Sequence, residues 1–419
     1  MRDLLISADS HVWEPADLWT TRLPKQLRDR ALRYEYHGDY MTAWWPLGFD
    51  APRQTSSRFQ DRDGNYVEDS ADLLDRRFKH LEDDGVWGEV INPTVANVVL
   101  VADHELALAH ARVYNDYVHE LFSPYFDRHK PLGLIPLTDI DDAVAEVERV
   151  AAMGMRGIQV PATPPRPYHT RDYDRVWAAA QDHEMVVTTH IGSGYPSAQL
   201  AILAGSSDGV TPGRAADEAP AMLQAMLEDQ VDPTPVSRFK TGLFGFAGSP
   251  AELIMDLVGS GVLERFPSLH FMFIEWGAYY LAGLVAGMDK VFTLGVGQDP
   301  EFETGIWDFD RSPGDQPGMI KLFEMNDSWP YPLRPSEYVR RQVHTTFMDD
   351  PWAIACREVT GVEALLWGND YAHAEGTWPR SREAIERQFA AVDAEDRAAI
   401  LGGTVAGLFD FRVPAATLA

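Results

Sequence analysis

The chain is 419 residues long and 45% hydrophobic, which suffices for a large core and excludes general disorder. Its 64 acidic residues outnumber 36 basic ones for a net charge of −28, which argues against nucleic acid or an anionic membrane as a partner. A lone cysteine, Cys356, excludes an intrachain disulfide framework and suits a reducing cytosol.

The N-terminus, Met1-Arg2-Asp3-Leu4, meets an acidic residue at once and has no long apolar run, so no signal peptide is expected. No 18-residue apolar stretch without charges follows, so no membrane span is expected, and the chain reads as a cytoplasmic globular protein. Short apolar, β-rich runs predict strands at 4–11 (LLISADSH), 88–94, 132–137, 155–161, 185–191 (MVVTTHI), 269–276 (LHFMFIEW), 342–347 and 363–370 (EALLWGND). Amphipathic stretches such as 140–153, 172–183, 249–260 and 381–394 lie between them and predict helices. Alternating β and α segments imply a parallel sheet, and eight strands are the count of a (β/α)8 TIM-type barrel. Such barrels take about 250 residues. The surplus is therefore expected in insertions at about 36–70, 192–247 and 290–338, after strands one, five and six of a single domain spanning 1–419. Lids and oligomer contacts are equal expectations for them.

In this fold chemistry gathers where the strands end. Strand one ends in Asp9-Ser10-His11, and because alternate strand residues share a face, the carboxylate and the imidazole converge on one point. Strand two offers Asn92 and Thr94, and strand four Arg156 and Gln159. Strand five ends in His190, strand six in Glu275, strand seven carries His344, and strand eight ends in Asp370 with His373 three residues on. A single histidine at a strand end is ordinarily structural, but packing does not explain so many apolar strands finishing in His, Glu and Asp. Imidazoles and carboxylates crowded into one pocket repel and lose hydration unless a cation neutralises them. Nitrogen and oxygen donors without thiolates suit a divalent transition metal (Zn, Fe or Mn) and do not select among them.

Asp9-Ser10-His11, Thr189-His190-Ile191-Gly192 and the block from Trp367-Gly368-Asn369-Asp370 to Trp378-Pro379 resemble the amidohydrolase superfamily. The likeness is to its second family, the branch that includes aminocarboxymuconate semialdehyde decarboxylase, and Gly261-Val262-Leu263-Glu264-Arg265-Phe266-Pro267 is also typical of it. The resemblance runs along nearly the whole chain. It implies that Asp9, His11, His190 and Asp370 are metal ligands and that Asp370 also serves as base toward bound water. The departure lies at strand six, where decarboxylases of this branch place a catalytic histidine and this chain has Glu275-Trp276-Gly277. His270, five residues upstream, is expected on the opposite face, toward the helices, in a structural role.

Glutamate does not replace a histidine that protonates carbon, but it can ligate a metal. With His344 or His373 it could complete a second metal position, or it could orient a metal-bound histidine. One or two ions per chain are thus open. The resulting expectation is a metal-dependent hydrolase of an ester, thioester, lactone or amide with a hydrophobic acyl or ring portion. Its catalytic residues would be Asp370, Glu275, His344 and His373, and its metal ligands Asp9, His11, His190, Glu275 and Asp370. The alternative is a metal-dependent non-oxidative decarboxylase of an aromatic or unsaturated acid, with His344 or His373 replacing the strand-six histidine. A barrel that only binds a ligand is the third reading, since one fold hosts many functions. The partner expected is a small-molecule substrate, with a homo-oligomer, by default a dimer, from base rates alone.

Other features carry blander readings. Glu14-Pro15 and Asp349-Asp350-Pro351 read as helix starts. His104, His110, His119, His129, His169 and His183 are expected on the surface, and Cys356 has no base near it in sequence. Trp44, Trp45, Trp276, Tyr279, Tyr280, Phe347 and Trp378 could line a pocket or pack the barrel rim. Arg156 or Arg166 could hold a substrate carboxylate. No Walker or Rossmann glycine pattern occurs.

Overall fold

A computed structural model describes residues 3–37, 40–44, 53–57, 74–94, 96, 103–194, 249–296, 329–373 and 376–414. The parallel strands are β1 (Ile6–Val12), β5 (Gly88–Pro93), β6 (His129–Pro131), β7 (Gly133–Leu134), β8 (Gly157–Gln159), β9 (Val186–His190), β10 (Phe271–Ile274), β11 (Val343–Phe347) and β12 (Leu365–Trp367). Every residue of these strands is buried, as expected of a parallel sheet covered on both faces. They pair in the orders β1-β5-β6 and β12-β11-β10-β9-β8-β7.

Only Leu132 separates β6 from β7, and its N–H donates to Ile91 O at 3.0 Å, so the two pieces fill one strand position. At the other end the backbone beyond β12 meets β1: Asp370 N–H donates to Asp9 O at 2.8 Å and His11 N–H to Tyr371 O at 2.5 Å. Eight strand positions result, in the arrangement of a (β/α)8 TIM-type barrel. All eight predicted strands are present, though the third begins at His129 rather than 132.

The barrel interior holds Ile6, Ala8, Val90, Leu132, Val186, Met272, Ile274 and Leu366. Val405, Phe409 and Phe411 from the end of the chain pack against them and close the N-terminal end of the barrel. That final segment runs close to β1, where a Cβ on Gly402 would stand 2.6 Å from Leu4 O, so only glycine fits. The outer helices bury one stripe each. His104–Phe122 and Ile140–Ala152 are capped by Asp103 and Asp139, whose carboxylates accept from Leu106 N and Asp142 N.

Of the expected insertions, the first overlaps a small antiparallel sheet of β2 (Arg33–His37), β3 (Tyr40–Trp44) and β4 (Arg53–Ser57). Residues 195–247 of the second and 297–328 of the third lie outside the described residues, as does Trp45. Among the described residues no helix is long and apolar enough to cross a membrane.

Candidate metal centre

Asp9 and His11 leave β1 on the same side, but the pairing with β5 shifts register between Ser7 and Ser10. Irregularities of this kind re-aim side chains next to functional sites. Here Ser7 Oγ donates to Asp9 O at 2.7 Å, and the Asp9 carboxylate turns into the barrel mouth. Asn92 Nδ2 donates to Asp9 Oδ1 at 3.0 Å, and Thr346 Oγ1 to Asp9 Oδ2 at 3.3 Å. The same Thr346 oxygen accepts from Glu275 N at 2.8 Å, so one hydroxyl ties the ends of β1, β10 and β11 together. A Cβ on Gly368 would stand 2.5 Å from Asp9 Cβ, so glycine is what lets the end of β12 approach so near.

The two histidines carry the decisive detail. His11 Nδ1 is 3.2 Å from Pro93 O, and His190 Nδ1 is 2.7 Å from Ile191 O. A carbonyl only accepts, so each Nδ1 bears the proton and each Nε2 is left with a lone pair. Those two Nε2 atoms stand 3.2 Å apart, facing each other. His11 Nε2 is also 3.4 Å from Asp370 Oδ1, 3.5 Å from Asp9 Oδ1 and 3.6 Å from Glu275 Oε2. Glu275 Oε2 lies 3.0 Å from His190 Nε2. Lone pairs converge there from five side chains, four of them almost fully buried, and such a set is stable only around a positive charge.

Protons are one such charge. Burial disfavours a cationic His11, yet the hydrogen bonds of Asp9 and Glu275 and the charge of Asp370 hold its pKa well above the ordinary range. Burial likewise opposes an ionised Glu275, and the neighbouring His190 and His11 charges hold its carboxyl well below the usual range. A divalent cation meets the same demand with donors of the right type, so the residues fit a metal.

Two of these positions sit in strained backbone. Glu275 has φ of 65° and Asp370 φ of 54°, the left-handed region that non-glycine residues avoid at a cost of about 1 kcal/mol or more. At Glu275 this break in alternation matters. Met272 and Ile274 face the barrel interior, and the left-handed turn after Ile274 brings Glu275 back over the same opening.

His373 completes the group. Its Nδ1 is 2.9 Å from Asp370 Oδ1 and 4.0 Å from Glu275 Oε2, and its ring lies against that of His11 with centroids 4.0 Å apart. Burial, then the His11 charge, pushes its pKa well below the usual histidine range. Among the described residues two groups therefore have ligand spacing, one of His11, Glu275, Asp370 and His373 and one of Asp9, His11 and His190, and they share His11.

The family model for amidohydrolases matches residues 89–411. The chain belongs to the amidohydrolase family. Asp9 and His11 precede the matched span, so their part in this amidohydrolase rests on the geometry above. Solved structures share the fold along nearly the whole chain. An amidohydrolase from Mycobacterium avium subsp. paratuberculosis K-10 is 20% identical with a TM-score of 0.66, covering 97% of this chain and 99% of its own. A 5-carboxyvanillate decarboxylase from Sphingomonas paucimobilis is 16% identical with a TM-score of 0.60, covering 98% and 99%. A dihydroxybenzoic acid decarboxylase from Polaromonas sp. JS666, with bound manganese and the inhibitor 2-nitroresorcinol, is 15% identical with a TM-score of 0.58, covering 99% of both chains. No curated protein sequence matches the chain.

Of the residues expected at the site, the amidohydrolase brings together Asp9, His11, His190, Glu275, Asp370 and His373, but not His344. His344 is the second residue of β11 and sits a layer lower, where its Nδ1 donates to Glu363 O at 2.7 Å and its Nε2 meets His270 Nδ1 at 2.9 Å. His270 shares the inward face of Met272 and Ile274 and does not turn outward to the helices, because the parity count from Glu275 fails at the left-handed residue. Arg156 pairs with Glu184 and Asp410, and Arg166 with Asp172, so both are engaged elsewhere. Trp276, Tyr280 and Phe347 are buried in core clusters, and Asp350 caps two helices by accepting from Ala353 N and from Ala278 N and Tyr279 N.

Two histidines expected on the surface, His110 and His129, are buried. His129 heads a strand and meets Glu89 Oε1 at 2.8 Å. His110 accepts from Leu32 N at 3.0 Å through Nε2 and donates to Leu106 O at 2.8 Å through Nδ1, a pairing only the neutral ring satisfies. Burial pushes His110 down to about 4, and burial together with His270 pushes His344 down to about 3. Below an unfolded histidine's pKa of about 6.5, the unfolded chain binds protons that these folded sites refuse. Stability is therefore complete above that pH and falls as pH drops toward 4. Urea midpoints measured from pH 7 to 4 should show the loss, and His110→Gln should flatten its slope by up to about 1.4 kcal/mol per pH unit. An unchanged slope would mean that His110 is charged in the fold.

Residues the sequence reading missed are Thr346, Asn369 and Arg77. Asn369 Oδ1 accepts from Ser10 Oγ and Tyr371 N, which locks the turn carrying Asp370 onto β1. Arg77 Nη1 donates to His11 O at 2.7 Å while its other nitrogens grip Glu89. Nothing in the run Asp75-Arg76-Arg77-Phe78 distinguishes the buried arginine from its neighbour.

Proposed function

We propose that this amidohydrolase is a metal-dependent non-oxidative decarboxylase of an aromatic or unsaturated carboxylic acid, with Asp9, His11, His190 and Asp370 holding one divalent ion. The observation that carries this reading is the Asp370–His373 contact of 2.9 Å, a carboxyl–imidazole pair that can share the proton the missing strand-six histidine would otherwise provide. The hydrolytic reading leaned on a second ion, and the shared His11 nitrogen speaks against one, since a ring nitrogen has a single lone pair to give. Metal–ligand bonds of about 2.0–2.2 Å separate neighbouring ligand atoms by about 3.0–3.5 Å. The 3.2–3.5 Å contacts from His11 Nε2 to His190, Asp370 and Asp9 match that spacing for one centre. The decarboxylases of aromatic acids among its structural neighbours support the same choice.

A divalent ion held there would bind substrate oxygens and draw electron density from the carbon that loses its carboxylate. The chain's own residues do the rest. Asp370 Oδ1 and His373 Nδ1, 2.9 Å apart, can share one proton between them. As the bond to the carboxylate breaks, CO2 leaves, the electron pair stays on the substrate carbon, and that proton passes to it. Glu275 Oε2 lies 3.0 Å from His190 Nε2, and His190 is oriented by its Nδ1 donating to Ile191 O.

Hydrolysis of an ester, thioester, lactone or amide is the second reading, and the position of Glu275 favours it: a carboxylate 3.0 Å from His190 Nε2 can take a proton from water. Metal-reconstituted protein offered a panel of hydroxybenzoates and a panel of aryl esters and thioesters separates the two. CO2 release with solvent deuterium at the vacated carbon is expected, lost in His373→Gln at unchanged metal content. Ester cleavage without CO2 release, or two ions per chain falling to one in Glu275→Ala, would return the hydrolase.

A further inference from the structure

We infer that a second cleft, at the opposite end of the barrel from the metal centre, is a binding site for a small tetrahedral dianion of the phosphate type. The cleft is about 530 Å³ and is walled by His270, Arg340, Arg341, His344, Glu363 and Thr404, with Gly403 and Gly407 leaving the space open. Its charge is unusual for this chain. Net charge overall is −28, yet two arginines face one glutamate here.

Neither arginine has a carboxylate partner among the described residues. Arg340 donates from Nε and Nη2 to Val359 O at 3.2 and 2.8 Å. Arg341 donates to Gln342 Oε1 at 2.7 Å and to Leu263 O at 2.6 Å, and its guanidinium lies 5.1 Å from the Tyr338 ring centroid. Neutral acceptors thus fix both forks in place and leave both charges uncompensated, with each Nη1 still to donate. That is a preorganised anion site, because the ordering cost of two long side chains is met before any ligand arrives.

Another cleft among the described residues makes the contrast. It is lined by Lys130, Arg156 and Arg412 together with Asp127, Glu184 and Asp410, and there the charges cancel in ion pairs, Arg156 with Glu184 and Asp410, and Arg412 with Asp127. The ordinary reading of arginines in a last helical turn is that they face the helix's negative end. That accounts for one positive charge near Gln342, but not for a hollow flanked by a histidine pair and small residues. His344 Nδ1 donates to Glu363 O, so its Nε2 accepts from His270 Nδ1, which fixes both rings in the cleft wall.

The test is a thermal-shift and calorimetric titration of the metal-loaded full chain with inorganic phosphate, against chloride at matched ionic strength, with glycerol phosphate as the organic arm. The same titration of Asp370→Asn removes binding at the metal centre from the result. A phosphate-specific rise in melting temperature is expected in both proteins, with affinity falling at least about tenfold in Arg341→Met and in Arg340→Met while decarboxylase activity stays. Arg340 is exposed, so its variant decides the matter if Arg341→Met fails to fold. Tighter binding of glycerol phosphate would identify a phosphorylated metabolite as the ligand, and preference for inorganic phosphate the free ion. No shift beyond that of chloride, or a shift that both arginine variants retain, would overturn the inference.

Discussion

His11→Ala is expected to reduce bound metal to under about a tenth of the wild-type content and the proposed decarboxylation by at least about 10³-fold, as loss of several kcal/mol of metal-derived stabilisation implies. His11 is the hub of the centre: its Nε2 lies within 3.6 Å of groups on His190, Asp9, Asp370 and Glu275. Its structural contacts, by contrast, belong to the main chain, where His11 N donates to Tyr371 O and His11 O accepts from Arg77. Alanine keeps those bonds, so far-UV circular dichroism should be unchanged. Elemental analysis and CO2 release measured on one preparation check the pair of outcomes. Full metal content in the variant would remove His11 from the ligand set. Glu275→Gln is the matched control, since one ion held by Asp9, His11, His190 and Asp370 should survive it.

Arg77→Met is expected to destabilise the fold by about 3–5 kcal/mol, the range for breaking a buried ion pair from one side. Arg77 and Glu89 are both essentially inaccessible, joined by two hydrogen bonds of 2.9 and 2.7 Å, with His129 on the same carboxylate at 2.8 Å. Burial alone would raise the Glu89 pKa, but the Arg77 charge and the His129 hydrogen bond hold it at about 2. Its contribution to stability is therefore complete above the unfolded value of about 4.5 and is lost as pH falls through 2. The double variant Arg77→Met, Glu89→Gln should cost less than Arg77→Met alone, because no uncompensated charge is left behind. Urea unfolding of the three proteins at pH 7 measures this, and equal stability of wild type and Arg77→Met would sink it. Arg77 also holds His11 O, so metal affinity in Arg77→Met should fall by about 10–100-fold, the range for partners that orient ligands. A merely structural role would leave that affinity unmoved in the folded fraction.

What the sequence alone determined is whatever local pattern encodes. The eight apolar runs are strands because buried parallel strands are apolar on both faces, and the polar residues at their ends mark one rim of the barrel. Asp9, His11, His190 and Asp370 are legible for that reason, each standing in or just after an apolar run that predicts a strand. Parity along a strand was legible only while the backbone stayed regular. At Glu275 a left-handed φ redirects the chain, so parity counted from it misplaces His270, which shares the parity of Met272 and Ile274 and meets His344. His344 and His373 look alike in sequence, each a histidine near a strand end. Tertiary structure alone separates them, since one sits near the start of β11 against His270 and the other follows the turn after Asp370. Thr346, Asn369 and Arg77 act through partners up to 362 residues away. No pattern within a segment encodes contacts of that separation; they exist only once the barrel has closed and brought the strand ends to one mouth.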